Sequence, residues 1–349
     1  MPQKDTFSNG VKLLVLTQAV DSEDTYLGFF VGWINALSAR FETIQVVCLK
    51  RGEARLSANV RVHSLGKEVS QSRFTYLVRF YRYAWTLRHE YDAVFVHMNQ
   101  EYVLLGALLW KMLGKKVYLW RNHGAGNFLT TLAAALADTT FCTSKFSYVA
   151  RSKKNVLMPV GIDTDAFHPV AGVDRKPRSI LFFGRFAPSK QPALLVQALA
   201  QLTGEWSASF VGSPLPKDSA YESDVRRRVH ELNLEDRIEF LAGIPHREAP
   251  RMFSAYDIYV NLAASGMYDK TIFEAAACGC RVLAASRDFA ALSPESAIDT
   301  DSAAGLTEKL AQLLRAAEDE RTRHVSAMQE ITESHSLHTL VERLAHEIS

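Results

Sequence analysis

The sequence predicts an α/β protein made of two doubly wound, parallel-sheet domains. Three observations carry this. Short β-branched runs alternate with stretches of helical periodicity, the alternation stops once near the middle of the chain, and it then restarts. A chain of 349 residues is long enough for two domains, each with its own core. Hydrophobic residues make up 48% and charged residues 22%, with only 18 Gly and 11 Pro, which excludes a disordered or collagen-like chain.

In the first half, Val11 to Thr17, Thr43 to Leu49, Val60 to Leu65, Ala93 to Met98, Lys116 to Trp120 and Thr139 to Cys142 read as strands. Gly28 to Arg40, Ser70 to His89 and Tyr102 to Leu113 read as the helices between them. The stretch from Gly161 to Pro177, rich in Asp, Pro and Gly, reads as a linker. Strands then return at Ser179 to Phe183, Ala208 to Val211, Ile238 to Leu241, Ile258 to Val260 and Arg281 to Ala285. Gln191 to Leu202, Tyr221 to Leu232 and Lys270 to Cys278 are the matching helices.

The first segment with chemistry is Phe183-Gly184-Arg185-Phe186-Ala187-Pro188-Ser189-Lys190, where a buried strand gives way to a helix. Glycine permits the sharp turn and Pro188 stiffens the loop. Arg185 and Lys190 bring two cations to the carboxyl edge of the sheet, where ligands of open α/β sheets bind. An arginine fork and a lysine point charge suit a diphosphate, although two solvated surface cations read the same way. The second segment, Ser265 to Leu283, opens a short helix that closes at Gly279. Gly266, Met267, Tyr268, Asp269 and Lys270 stand at its entrance, where free N–H groups suit phosphate or sugar oxygens. Glu274, one turn in, has the two acceptor oxygens that vicinal ribose hydroxyls need, or is an ordinary first-turn acid; Asp269 is either an N-cap or a ligand contact.

These two segments resemble the donor-site motifs of family 4 glycosyltransferases of the GT-B fold. Gly184, Arg185, Pro188 and Lys190 match the family's Gly-Arg-x-x-Pro-x-Lys loop, and Glu274 matches the second acid of its Glu-x7-Glu helix. The likeness continues through Val160 to Asp163 with Phe167, Asp236 to Gly243, and Ala255 to Ile258. It implies two Rossmann-like domains facing a cleft: residues 1–165 on the acceptor side, 166–330 on the donor side, and a final helix in 331–349 that crosses back. It further implies that Arg185 and Lys190 hold the diphosphate and Glu274 the ribose, with Gly212 and Ile238 also on the donor side. Gly266 stands where the family has its first Glu, so the transferred sugar is left to the backbone at Gly266 or to Asp269 and Lys270.

The first half offers further candidates. His97 and His123 follow strand ends, and by position His123 matches the family's histidine near the reaction centre; either ring otherwise reads as a satisfied structural histidine. Asn99 lies beside His97, and Gly28 ends a loop from Asp21, either approaching the acceptor or starting a helix. Between Ser72 and His89, Arg73, Arg79, Arg82 and Arg88 interleave with aromatic rings. That pattern suits anionic lipid headgroups, but a helix packed on a sheet with a basic outer face is the commoner case.

Other classes are disfavoured. A net charge of +2 supplies no nucleic-acid field. No Gly-x-Gly-x-x-Gly follows the first strand and no phosphate loop ending in Gly-Lys-Ser/Thr exists, which counts against dinucleotide oxidoreductases and nucleoside-triphosphate hydrolases. Asp163-Thr164-Asp165 stands at the domain junction and Cys278-Gly279-Cys280 lacks further ligands, so no catalytic metal or other cofactor is expected. The scattered cysteines, the polar first residues and apolar runs too short to span a bilayer lead to the expectation of a cytoplasmic protein, with at most peripheral membrane contact. The resemblance implies retaining transfer of a hexose from a UDP- or GDP-linked donor to a glycan or lipid-linked acceptor of the bacterial polysaccharide type. The alternatives are a non-catalytic nucleotide-sugar-binding or scaffold protein, and a sugar-nucleotide epimerase of the same fold.

Overall fold

A computed structural model describes residues 10–24, 27–263, 268–298 and 302–349. The chain divides into two compact units, one formed by residues up to Gly161 together with Leu337–Ser349, the other by Ile162–Ser336.

The first unit runs β1 (Lys12–Val20), α1 (Phe29–Ser38), β2 (Thr43–Arg51), β3 (Val60–Ser64), α2 (Arg73–Thr86), β4 (Ala93–His97), α3 (Gln100–Met112), β5 (Lys116–Trp120), α4 (Phe128–Leu136), β6 (Thr139–Cys142) and β7 (Asn155–Leu157). Its sheet has the order β3-β2-β1-β4-β5-β6-β7 and every pairing is parallel. Alternate residues of a strand face opposite sides, so β1 feeds two cores. Leu13 and Val15 pack with Phe30 and Trp33 of α1, and Leu14 and Leu16 with Phe80, Val103 and Trp110 of α2 and α3. Two elements of this unit escaped the sequence reading. α4 is short and Ala-rich, fixed by a capping box between Asn127 and Thr130, and β7 has three residues.

The second unit contains β8 (Lys176–Phe183), α5 (Pro192–Leu199), β9 (Ser207–Val211), α6 (Ser219–Glu231), β10 (Ile238–Leu241), α7 (Ala249–Ala255), β11 (Tyr256–Asn261), α8 (Lys270–Ala277), β12 (Arg281–Ala284), α9 (Arg287–Ala290), α10 (Ala303–Arg315) and α11 (Glu318–Ser334). Its parallel sheet, β10-β9-β8-β11-β12, repeats the order of the first five strands of the other unit. Pro177 lies inside β8 and not in a linker; the strand tolerates it at an irregularity where Arg178 has φ 54° and the register with β11 shifts. Arg281, 1% exposed, holds Asp257 through two hydrogen bonds of 3.0 and 2.7 Å and ties β12 to β11. The last helix, α12 (Leu337–Ile348), belongs to the first unit, where Leu340 and Leu344 join the α1 side of the core.

Candidate functional site

In each sheet the strand order reverses once, between β1 and β4 and between β8 and β11, and the loops leaving the paired strands diverge there. The two switch points carry different chemistry.

At the second, three loops at the carboxyl edge are laced together. The Gly184 N–H donates to the Val211 carbonyl (2.9 Å) and the Gly212 N–H to that of Leu241 (3.1 Å). A Cβ on Gly212 would lie 1.8 Å from the Gly184 carbonyl oxygen, so only glycine permits this approach. Arg185 is exposed on the same loop. Lys190, at the loop's end, pairs with Asp269 at the start of α8. Asp269 is the N-cap of α8: its Oδ1 accepts from the Thr271 N–H (3.3 Å) and hydroxyl (2.8 Å), while Oδ2 accepts from Lys190 and from the Asn261 amide (3.0 Å). Burial pushes this carboxyl up, but the Lys190 ammonium and these hydrogen bonds outweigh it and hold it at about 2. With both oxygens engaged, Asp269 anchors Lys190 and caps the helix.

One turn further, Glu274 is 4% exposed and its Oε1 lies 3.0 Å from His246 Nε2. Burial pulls the His246 imidazolium down, yet the bond and charge of Glu274 raise its pKa above the ordinary value. The ring also leans on Phe167, with centroids 5.1 Å apart. Lys270 enters the same surroundings. Burial pulls its ammonium down to about 7, against the opposing charges of Glu274 and Asp163.

Some expected residues do not join this cluster. Ile238 opens β10 at the strand's amino end and is buried in the core, away from the carboxyl edge. Tyr268 is turned inward: its hydroxyl donates to the Asp288 carbonyl (3.0 Å) and its ring packs on Phe273 and His335. Gly266 and Met267 lie outside the described residues. Conversely, His246, Asn261 and Thr271 were not foreseen. Asn261 ends β11 one residue past the predicted strand, and His246 follows a Pro just beyond Gly243, both positions where polar side chains reach the carboxyl edge.

The first switch point is more apolar. His97 is 2% exposed, stacked on Phe30 at 3.9 Å, with Nδ1 3.4 Å from the Thr17 hydroxyl, the packing of a structural histidine. Gly28 starts α1, and a Cβ there would meet the Ser22 and Asp24 carbonyls at 2.8 Å. Asn99 precedes α3 without capping it through its side chain. A cavity of ≈ 310 Å³ opens here, lined among others by Asp24, Lys50, Lys67, His97 and Asn99. His123 is exposed after β5, its Nδ1 accepting from the Ala125 N–H at 2.9 Å. It lies in the first unit.

Known families match both halves of the chain. Residues 19–142 match the family described as glycosyl transferase 4-like, and residues 163–325 that described as glycosyl transferases group 1. The chain is a family 4-like glycosyltransferase-family protein of the GT-B fold. Among curated relatives of this family, D-inositol 3-phosphate glycosyltransferase of Mycolicibacterium smegmatis is 30% identical over 144 residues, 39% of this chain. The match spans about a third of that relative's length (33%). Among solved structures, HepE of Anabaena in complex with UDP superimposes with a TM-score of 0.77 at 18% identity, covering 97% of this chain and 99% of that one. Sucrose-phosphate synthase of Thermosynechococcus elongatus gives 0.76 at 18% identity, covering 96% and 98%. At such identities these two share the fold with this GT-B protein.

Proposed function

We propose that this protein is a retaining glycosyltransferase that moves a hexose from a nucleoside-diphosphate sugar to a glycan or lipid-linked acceptor without a catalytic metal. The observation that carries the reading is the Lys190–Asp269 pair at the second switch point, with Arg185 on the same loop and Glu274 on the same helix. Asp269 holds the Lys190 ammonium at the end of the loop, and Arg185 supplies a second cation. Together they stabilise the charge that builds on a departing diphosphate, the work a metal ion does elsewhere. The solved complexes of HepE with UDP and with UDP-glucose support a donor of this class.

Glu274 accepts from the ribose hydroxyls, with His246 fixing Oε1 in place. In the transfer, the bond from the sugar's anomeric carbon to the leaving phosphate oxygen breaks, and the acceptor oxygen bonds to that carbon from the same face. The acceptor's proton passes to the departing phosphate oxygen, so configuration is retained with no protein nucleophile. Lys270, the first residue of α8, is the candidate for contact with the transferred sugar or the diphosphate.

A thermal-shift panel of uridine, guanosine, adenosine and cytidine diphosphates and their sugars tests the reading. One base is expected to raise the melting temperature, and its sugar to be consumed in the presence of a chelator. Binding without transfer to any acceptor would leave the non-catalytic alternative; no shift with any base would sink the donor site itself.

A further inference from the structure

We propose that the outward face of α2, α3 and α4 in the first unit is a docking surface for an anionic lipid bilayer. The inner faces of these helices already fill a core, through Phe80, Val103, Trp110 and Ala133 among others. Their outer faces carry large apolar side chains as well. Phe74 is 74% exposed, Leu108 74%, Met112 78% and Phe128 76%, with Val78 and Trp85 about half exposed. Core formation accounts for none of these. A helix that is apolar all round is ordinarily covered, and a contiguous exposed apolar face marks an interaction site.

The three helices present one surface. The Tyr81 hydroxyl of α2 donates to the Leu105 carbonyl of α3 (3.0 Å), and α3 packs on α4. Apart from the exposed Glu101 in the first turn of α3, its charge is one-sided. No acidic residue occurs between Glu68 and Glu90 or between Glu101 and Asp138. Arg73, Arg82 and Lys111 are exposed and make no ion pair among the described residues, while Arg88 lies over the Trp85 ring at 4.5 Å. The basic outer face expected for α2 is therefore mixed with large apolar side chains, and α4 has no charged residue at all.

This charge pattern selects the occupant. A second copy would set cations against cations, whereas an anionic bilayer supplies acyl chains for the rings and aliphatic groups and phosphates for the arginines. Among the described residues no helix is long and apolar enough to cross a membrane, so the mode of binding is a face lying on the surface. The proposal is independent of the donor reading, since docking is measured with no nucleotide present.

The test is co-sedimentation of the full chain with vesicles of phosphatidylcholine alone or containing about a third phosphatidylglycerol. The wild type should partition at least about tenfold better onto the anionic vesicles, an advantage that falls with salt. The triple variant Phe74→Glu, Leu108→Glu, Met112→Glu, altered only at exposed positions, should lose about tenfold or more of that partitioning with its melting temperature unchanged. Arg73→Gln with Arg82→Gln should reduce the preference for anionic over neutral vesicles. Failure of the wild type to bind anionic vesicles, equal binding by the triple variant, or a wild-type dimer that the triple variant abolishes while vesicles go unbound would each overturn the proposal.

Discussion

The two switch points have the same strand order around them but are filled by opposite chemistry. At the end of β4 a histidine is buried against Phe30 and Trp33, and the neighbouring cavity borrows its polarity from Lys50, Lys67 and Asp24. At the end of β11 the corresponding space holds Asn261, which joins Asp269, Thr271 and Tyr259 in one hydrogen-bonded group around the Lys190 ammonium. Repeating a topology fixes where a ligand is received; the residues at strand ends decide whether the place is preorganised for charge.

The comparison breaks most sharply at Lys190. Lys190→Met is expected to lower kcat for sugar transfer by about 10²–10³-fold, as loss of a transition-state donor does. His97→Phe, at the other switch point, keeps ring packing and should stay within about threefold in the same steady-state assay. Next in size is the glycine that lets two loops touch. Gly212→Ala should cost about 2–3 kcal/mol in denaturant unfolding. Gly243→Ala, whose Cβ would come no closer than 3.3 Å to its nearest neighbour, the Ser213 hydroxyl, should cost well under about 1 kcal/mol.

Asp269→Asn should lose about 2 kcal/mol at neutral pH. The sign follows from the depressed carboxyl. Its stabilisation is complete above the ordinary value of 3.8 and disappears as pH falls through about 2, so wild type and variant converge in acid unfolding curves. The smallest effect sharpens the role of Lys270, which sheds its proton near 7 when folded and near 10.5 when unfolded. Stability therefore rises with pH from about 7 upwards, while affinity for a nucleotide sugar, whose phosphodiesters do not titrate there, should fall severalfold. Lys270→Gln should flatten both profiles, read by calorimetry between pH 6 and 9.

Much of this was legible in the sequence, for identifiable reasons. Buried parallel strands carry short apolar runs, as in Ala93–Val96 of β4 and Val282–Ala284 of β12, and the glycine, arginine, proline and lysine after β8 keep a fixed spacing because they follow one chain turn. What stayed hidden depended on partners distant in the chain. The link between His246 and Glu274 spans 28 residues, and that between Lys190 and Asp269 spans 79, so neither could be read from local spacing. The outward apolar residues of α3 escaped for a different reason. A mostly apolar helix looks the same in sequence whether its second face is covered or bare.

The central claim is that the second switch point is built to receive a diphosphate through Lys190. Isothermal calorimetry of the four nucleoside diphosphates against wild type, Lys190→Met and His97→Phe tests it most directly. The account predicts that one diphosphate binds wild type and His97→Phe alike and Lys190→Met at least about tenfold more weakly. Equal binding to wild type and Lys190→Met, or no binding of any diphosphate to wild type, would contradict it.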